Sequence, residues 1–165
     1  MSILDRTQFL IEKKRLTLRP TYNVKDENGT LLGCFKAQML KPNYWFEGTD
    51  GNVLGEVRSV GNRYEVYDAQ HQLRATIRPA SGKRWKSPWV IEDPDGRLLG
   101  KIKQSSRFLR EYQILGQDGS IIAEIHLIVK APFLPGGKNP SCRINILSKG
   151  LDPYLILCMF SFAHD

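Results

Sequence analysis

Three cations and a tryptophan stand together in a segment that also carries turn-forming residues. The segment Ser81 to Pro88 contains Lys83, Arg84, Trp85 and Lys86. Lysine and arginine side chains attract the phosphates of anionic lipid headgroups, and an indole ring favours the boundary between water and hydrocarbon. These four residues are therefore the first candidates for binding an anionic phospholipid or phosphoinositide headgroup.

A second cationic cluster lies one predicted hairpin further along the chain. Lys103, Arg107 and Arg110 surround Phe108, with Lys101 nearby. The outward positions three residues after a recurrent small residue are also basic or potentially basic: Lys36, Arg58, Arg78, Lys103 and His126. Together these positions predict a belt of cations around the outside of the molecule.

The cationic clusters have two other interpretations. Lysine and arginine commonly cover strand exteriors for solubility, so the clusters are also typical of a solvated face. Aromatic rings interleaved with cations can stack on single-stranded bases, but the chain shows no RNA-binding motif and no recognition-helix pattern. Nucleic acid is the less favoured partner for that reason.

Residues that could perform catalysis or bind a metal are sparse. His71, His126 and His164 lie far apart, and none has a metal-ligand spacing with a cysteine or a carboxylate. The stretch Pro135 to Lys138 lacks the rest of the phosphate-loop pattern. We therefore predict no enzyme activity, no catalytic residue, no metal and no cofactor.

Composition limits the class of protein. A length of 165 residues fits a single domain that spans residues 1–165. The formal net charge of +7 favours polyanionic partners. Cys34, Cys142 and Cys158 match neither a disulfide framework nor a zinc site, and no signal segment opens the chain, so a cytoplasmic protein is expected, peripheral to a membrane if it binds lipid.

The elements that must position these residues come from an internal repeat. An aromatic residue is followed eleven positions later by a small one, five times over: Tyr22/Gly33, Tyr44/Gly55, Tyr64/Ala75, Trp89/Gly100 and Tyr112/Ala123. Four of the five units also carry Asn or Asp before Gly at the bend: Asn28-Gly29, Asp50-Gly51, Asp95-Gly96 and Asp118-Gly119. Such dipeptides between alternating apolar runs predict tight β-hairpins, because both residues tolerate a positive φ.

The repeat predicts an antiparallel up-and-down sheet, since parallel pairing would need long crossovers. A first strand from Phe9 to Leu18 and a last strand from Cys142 to Leu147 bring the total to twelve strands. The five hairpins between them span residues 22–38, 44–59, 64–79, 89–104 and 112–129.

The first hairpin also predicts a register. If its turn is the two-residue Asn28-Gly29, Val24 lies opposite Gly33 and Tyr22 lies opposite Phe35. Recurrent glycine within strands indicates a bend or a close backbone approach, as closure of a sheet into a barrel requires.

A barrel of twelve strands needs a filler, because only barrels of about eight strands are filled by their own side chains. The C-terminus supplies one: Asp152 can cap a helix, Pro153 suits its first turn, and residues 154–163 are apolar on every side. A helix at about 152–163 spans about 18 Å, whereas a membrane helix needs roughly 20 residues. We therefore predict a buried α-helix through the centre of the barrel.

The hairpins and the terminal helix together resemble the tubby C-terminal-like superfamily, and within it the LURP-one-related proteins, with phospholipid scramblases as cousins. The likeness is carried by Tyr22 to Gly29, Trp89 to Gly100 and Asp152 to Asp165, and it covers nearly the whole chain. It implies a closed β-barrel threaded by its own helix. It also implies contact with membrane lipids, which is the recurring theme of that superfamily.

These observations predict a non-enzymatic binding module that recognises anionic phospholipid at a membrane surface. Its site residues would be Lys83, Arg84, Trp85, Lys86, Lys103, Arg107 and Arg110. The alternative is a protein-interaction or scaffold domain without lipid binding. Lipid binding should weaken steeply with salt, whereas a hydrophobic protein interface should tolerate it.

Overall fold

The fold is a closed antiparallel barrel of twelve strands with one C-terminal helix, as the sequence predicts. It is known from a computed structural model, which describes residues 5–14, 17–41, 43–81, 88–106, 111–128 and 141–164. The elements are β1 (Gln8–Lys13), β2 (Thr21–Lys25), β3 (Leu31–Ala37), β4 (Tyr44–Gly48), β5 (Val53–Val60), β6 (Arg63–Asp68), β7 (Leu73–Pro79), β8 (Trp89–Glu92), β9 (Leu98–Ser106), β10 (Glu111–Leu115), β11 (Ile121–Ile128), β12 (Ser141–Ile146) and α1 (Pro153–His164).

Each strand pairs with the strands before and after it, and β1 closes the barrel by pairing with both β2 and β12. The predicted first strand is too long, because β1 ends at Lys13 and not at Leu18. The N–H of Lys14 donates to the carbonyl of Thr21 at 2.7 Å. Residues 15–16 lie outside the described residues, and residues 17–20 are not part of a strand.

The first hairpin has the predicted pairing but not the predicted turn. The N–H of Asp26 donates to the carbonyl of Thr30 at 3.0 Å, so the loop has three residues and Gly29 occupies its positive-φ position. Beyond the turn, Lys25 pairs with Leu31 while Val24 pairs with Gly33, so β3 carries one extra residue. The longer turn and this bulge offset each other, which preserves the register expected for a two-residue turn.

The same turn and bulge recur in all five hairpins. The pairing shifts by one residue at the equivalent place in each, so that one residue of the second strand is left over: Leu32, Leu54, Arg74, Leu99 and Ile122. The turns are stabilised by carboxylates. Oδ1 of Asp26 accepts hydrogen bonds from the N–H groups of Asn28 and Thr30, both at 2.9 Å, and Asp68 and Asp93 do the same in their own turns. These aspartates therefore serve the fold.

The small residue of the repeat allows adjacent backbones to approach closely. A Cβ at Gly33 would overlap the carbonyl oxygen of Glu47, and a Cβ at Gly100 would lie 2.6 Å from that of Leu115. A Cβ at Gly55 would overlap the hydroxyl of Tyr154 on the helix. Close approach therefore serves both the strand packing and the entry of the helix into the barrel.

Helix α1 fills the barrel. Oδ1 of Asp152 accepts a hydrogen bond from the N–H of Tyr154 at 2.9 Å, so Asp152 is the predicted cap. The buried helix residues Leu155 to Met159 belong to the same hydrophobic core as the inward side chains of the strands. The hydroxyl of Tyr154 donates to the carbonyl of Tyr67 at 3.0 Å. Among the residues that the structure describes, no helix is long and apolar enough to cross a membrane.

His71 occupies the turn position at which the other four hairpins have glycine, and its φ of 58° is unfavourable for a side chain with a Cβ. We expect His71→Gly to stabilise the fold by about 0.5–1 kcal/mol, since relief of the backbone strain exceeds the entropy that glycine adds to the unfolded chain. Denaturant unfolding measures the change. The matched control Gly96→His, at φ 83° with open space around its Cβ, should destabilise the fold by a similar amount. Equal stability of all three proteins would contradict this account of the turns.

Replacement of Gly55 by alanine tests the contact between helix and strand. We expect Gly55→Ala to lower the free energy of unfolding by about 3 kcal/mol, because its methyl group overlaps Tyr154. The loss should be smaller in a Tyr154→Phe background, which removes the hydroxyl that lies nearest the new methyl. Additive effects in the double variant would show that the helix does not pack on Gly55.

Candidate functional site

Most of the predicted site residues lie outside the described part of the chain. Lys83, Arg84, Trp85 and Lys86 fall in residues 82–87, and Arg107 and Arg110 fall in residues 107–110. Lys103 is described: it is an exposed residue of β9, and its partner on β10 is Gln113.

The strand ends that flank the two predicted clusters lie side by side. Pro79 pairs with Trp89, and Ser106 pairs with Glu111, so the two strand ends on either side of each cluster are paired. The flanking strands are also neighbours, since β8 pairs with β9 through Trp89 and Ile102. The sequence did not predict that these strand ends would lie side by side.

An up-and-down barrel has two ends with different connections. The five repeated turns, together with the start of α1, lie at one end, which we call the turn end. The strand ends joined by the six other connections lie at the opposite end, which we call the basic end. These connections comprise residues 14–20, 38–43, 61–62, 80–88, 107–110 and 129–140, of which 15–16, 42, 82–87, 107–110 and 129–140 lie outside the described residues.

The connections at the two ends differ in the charged residues of their sequences. The six connections of the basic end contain eleven lysines and arginines and no aspartate or glutamate, and of these cations Lys14, Arg19 and Lys41 lie in the described part of the chain. The five turns at residues 26–30, 49–52, 69–72, 93–97 and 116–120 contain six carboxylates and one arginine. The described residues of the basic end therefore include three exposed cations and no carboxylate, a composition suited to an anionic partner.

The predicted belt of outward cations is largely neutralised by neighbouring carboxylates. Salt bridges join Lys36 Nζ to Glu47 Oε2 at 2.7 Å, Arg58 Nε to Glu56 Oε1 at 2.8 Å, Arg78 Nη2 to Glu92 Oε1 at 2.6 Å and His126 Nδ1 to Glu111 Oε1 at 3.2 Å. Hydrogen bonds to these carboxylates raise the pKa of Lys36, Arg58 and Arg78. The fifth position of the predicted belt, Lys103, pairs in register with the neutral residue Gln113 on β10. The outer wall is consequently a ladder of exposed ion pairs.

Three exposed apolar side chains at the basic end were missed from the sequence. Leu18 and Leu40 are fully exposed, and Met39 is 59% exposed. Apolar residues are buried by default in a sequence interpretation, but these three lie inside connections beside a cation and a proline, in Leu18-Arg19-Pro20 and Met39-Leu40-Lys41-Pro42. That local context is the signal that could have identified them.

A groove of about 440 Å³ lies beside these residues on the outer wall. Leu18, Arg19 and Trp45 line it together with the ion pair of Lys36 and Glu47. The guanidinium of Arg19 lies 5.7 Å from the centre of the Trp45 ring, a cation–π contact that ties the β1–β2 connection to β4. The groove thus combines apolar surface with a cation at the rim of the basic end.

The structure describes the surroundings of His71, His126 and the three cysteines. Within the described ranges, no three histidine, cysteine or acidic side chains converge in a way that could hold a metal ion. His71 is exposed, and His126 lies between Glu111 and Glu124 on the outer wall. Burial raises the pKa of the Cys142 and Cys158 thiols to about 12, so neither is an available thiolate.

Thiol chemistry tests this description. Burial also raises the pKa of Cys34, but that residue is only half-buried. At pH 8, therefore, we expect one thiol of the native protein to react readily with a disulfide reagent and three to react after unfolding. The reaction should quicken as the pH rises, and Cys34→Ser should abolish the early phase. Rapid modification of Cys142 or Cys158 in the native state would contradict the placement of α1.

A closed twelve-stranded barrel built around its own C-terminal helix defines the class of protein, since it is the tubby-like fold. The sequence model of the LURP-one-related family matches residues 7–161, and the chain belongs to that family. Its fold is similar to the X-ray structure of a protein from Arabidopsis thaliana, with a TM-score of 0.61 and 18% sequence identity over 99% of this chain and 97% of the other. A search of curated proteins found no match.

Proposed function

We propose that the protein is a non-enzymatic binding module that recognises anionic phospholipid at a membrane surface through its basic end. The observation that carries the proposal is the presence of eleven lysines and arginines, without any carboxylate, in the six connections of that end. The site comprises Lys83, Arg84, Trp85, Lys86, Lys103, Arg107 and Arg110. Trp85 would lie at the interface between headgroups and acyl chains.

Electrostatics supports both the affinity and the orientation. Each lysine or arginine near an anionic membrane contributes about 1 kcal/mol, and the contribution falls off within about 10 Å at ordinary salt. Only the end that faces the membrane is therefore attracted strongly. The carboxylates of the turn end would be repelled from the same surface, so the barrel should approach with its basic end first.

Membership of a family with a tubby-like barrel supports a binding role, because α1 occupies the interior and leaves the outer wall and the connections as binding surfaces. The resemblance to lipid-contacting members of the superfamily points to the same class of partner. The location that follows is the cytoplasm, peripheral to a membrane.

A protein-interaction role is the second candidate, and a separate observation favours it. The outer wall near the turn end carries a ring of partly exposed apolar residues just after the turns: Leu31, Val53, Leu98 and Ile121. Such a ring could pack against a protein partner. Binding through it should tolerate salt, whereas binding through the basic end should not.

Vesicle co-sedimentation tests the proposed function. We expect the protein to bind vesicles that contain phosphatidylserine or a phosphoinositide, not neutral vesicles, and to dissociate as salt rises. The variant Lys83/Arg84→Glu should bind at least about thirtyfold more weakly, since it removes two cations and adds two repelled carboxylates.

The matched control is Arg97/Lys149→Glu, which makes the same change in net charge with exposed residues near the turn end. Binding of the control should equal that of the original protein. Equal losses in both variants would show that net charge matters and the basic end does not. No binding to any anionic vesicle would reject the lipid proposal.

A further inference from the structure

We propose that Leu18, Met39 and Leu40 insert into the hydrocarbon layer beneath the lipid headgroups when the basic end docks on a membrane. This inference rests on the proposed function and specifies how the docked state is held. Charge attraction alone leaves a protein above the headgroups, whereas apolar side chains that enter the acyl region add a contribution that salt does not screen.

The exposure of these residues is unusual for this barrel. The partly exposed apolar residues of the strands have exposed fractions of 37% to 45%, whereas Leu18 and Leu40 are fully exposed and Met39 is 59% exposed. Side chains this exposed contribute little to the packing of the barrel. Their apolar surface is therefore available for contact with the hydrocarbon of a membrane.

The backbone of Leu40 points to a use for its side chain. Its φ of 66° lies in the left-handed region, where the other described residues are glycines and His71. A leucine there is strained by the contact of its Cβ with the following carbonyl, and glycine would relieve that strain. Since the side chain is fully exposed, no packing within the barrel compensates for the strain.

The two connections that carry these side chains adjoin one another and are anchored to the barrel. The N–H of Ala37 donates to the carbonyl of Pro20 at 2.9 Å, which joins the first connection to the end of β3, where the second connection begins. The N–H of Gln38 donates to the carbonyl of Asn43 at 2.8 Å, and Oδ1 of Asn43 accepts from the N–H of Ser59 at 3.0 Å. These bonds hold the second connection against β5.

The charges around the apolar residues identify a membrane as the partner. Lys14, Arg19 and Lys41 are exposed on the same two connections, which contain no carboxylate. Apolar side chains surrounded by cations match the headgroup and hydrocarbon regions of an anionic membrane, in which phosphates lie just above the hydrocarbon. A typical protein partner would instead meet a mixture of charges at the rim of its interface.

Two substitutions separate insertion from charge attraction. Leu40→Gly removes the side chain and relieves the backbone, so the thermal midpoint should stay unchanged or rise while vesicle binding weakens roughly tenfold. Leu18→Ser should weaken binding to a similar degree. In both variants, the ratio of the vesicle affinity to that of the original protein should stay constant as salt is raised, up to the highest concentration at which the original protein still binds. The control Leu147→Ser changes an exposed leucine outside the basic end and should bind normally.

A fluorescent probe that reports how deeply residue 40 enters the membrane tests insertion independently of binding affinity. An environment-sensitive dye on Leu40→Cys, in a Cys34→Ser background, should shift to shorter wavelength on phosphatidylserine vesicles and be quenched by spin labels on the acyl chains. Unchanged dye emission on vesicles that bind the protein would overturn insertion and leave the proposed function standing. Equal binding by Leu40→Gly and the original protein, equal losses in the Leu147 control, or a lowered thermal midpoint in Leu40→Gly would overturn it as well. No vesicle binding by the original protein would reject the proposed function itself.

Discussion

The structure depends on one constraint, which is that a barrel of twelve strands encloses more space than its own side chains can fill. Helix α1 satisfies the constraint, and several otherwise unusual features follow from it. The helix is apolar all round because strands surround it, and its Tyr154 hydroxyl donates to the strand carbonyl of Tyr67. Glycine at position 55 leaves room for that tyrosine.

The charged residues in the connections have a structural origin at one end of the barrel only. Aspartates in the repeated turns accept hydrogen bonds from backbone N–H groups, so the carboxylates of the turn end are largely required by turn chemistry. No comparable requirement applies to the basic end, whose connections differ in length and sequence. A concentration of cations there, without a carboxylate among them, therefore calls for an explanation outside the fold. We propose an anionic membrane surface as that explanation.

The features predicted correctly from the sequence depend on local patterns, namely the hairpins, their pairing and the capped terminal helix. The Asn28-Gly29 dipeptide could not distinguish a two-residue turn from the observed three-residue turn with a bulge, because both place glycine at positive φ. The ion pair between Lys36 and Glu47 joins different hairpins, so it depends on a register that the repeat alone does not specify. The sequence did not predict the exposure of Leu40, because a leucine is expected in the hydrophobic core.

Hydrogen exchange of the protein with and without phosphatidylserine vesicles tests the central claim most directly, since it reports which end of the barrel meets the membrane. The account predicts slower exchange in peptides that cover the connections of the basic end, including residues 38–43, and unchanged exchange in the five turns. Protection of the turns, or of the outer wall alone, on vesicles that bind the protein would contradict it.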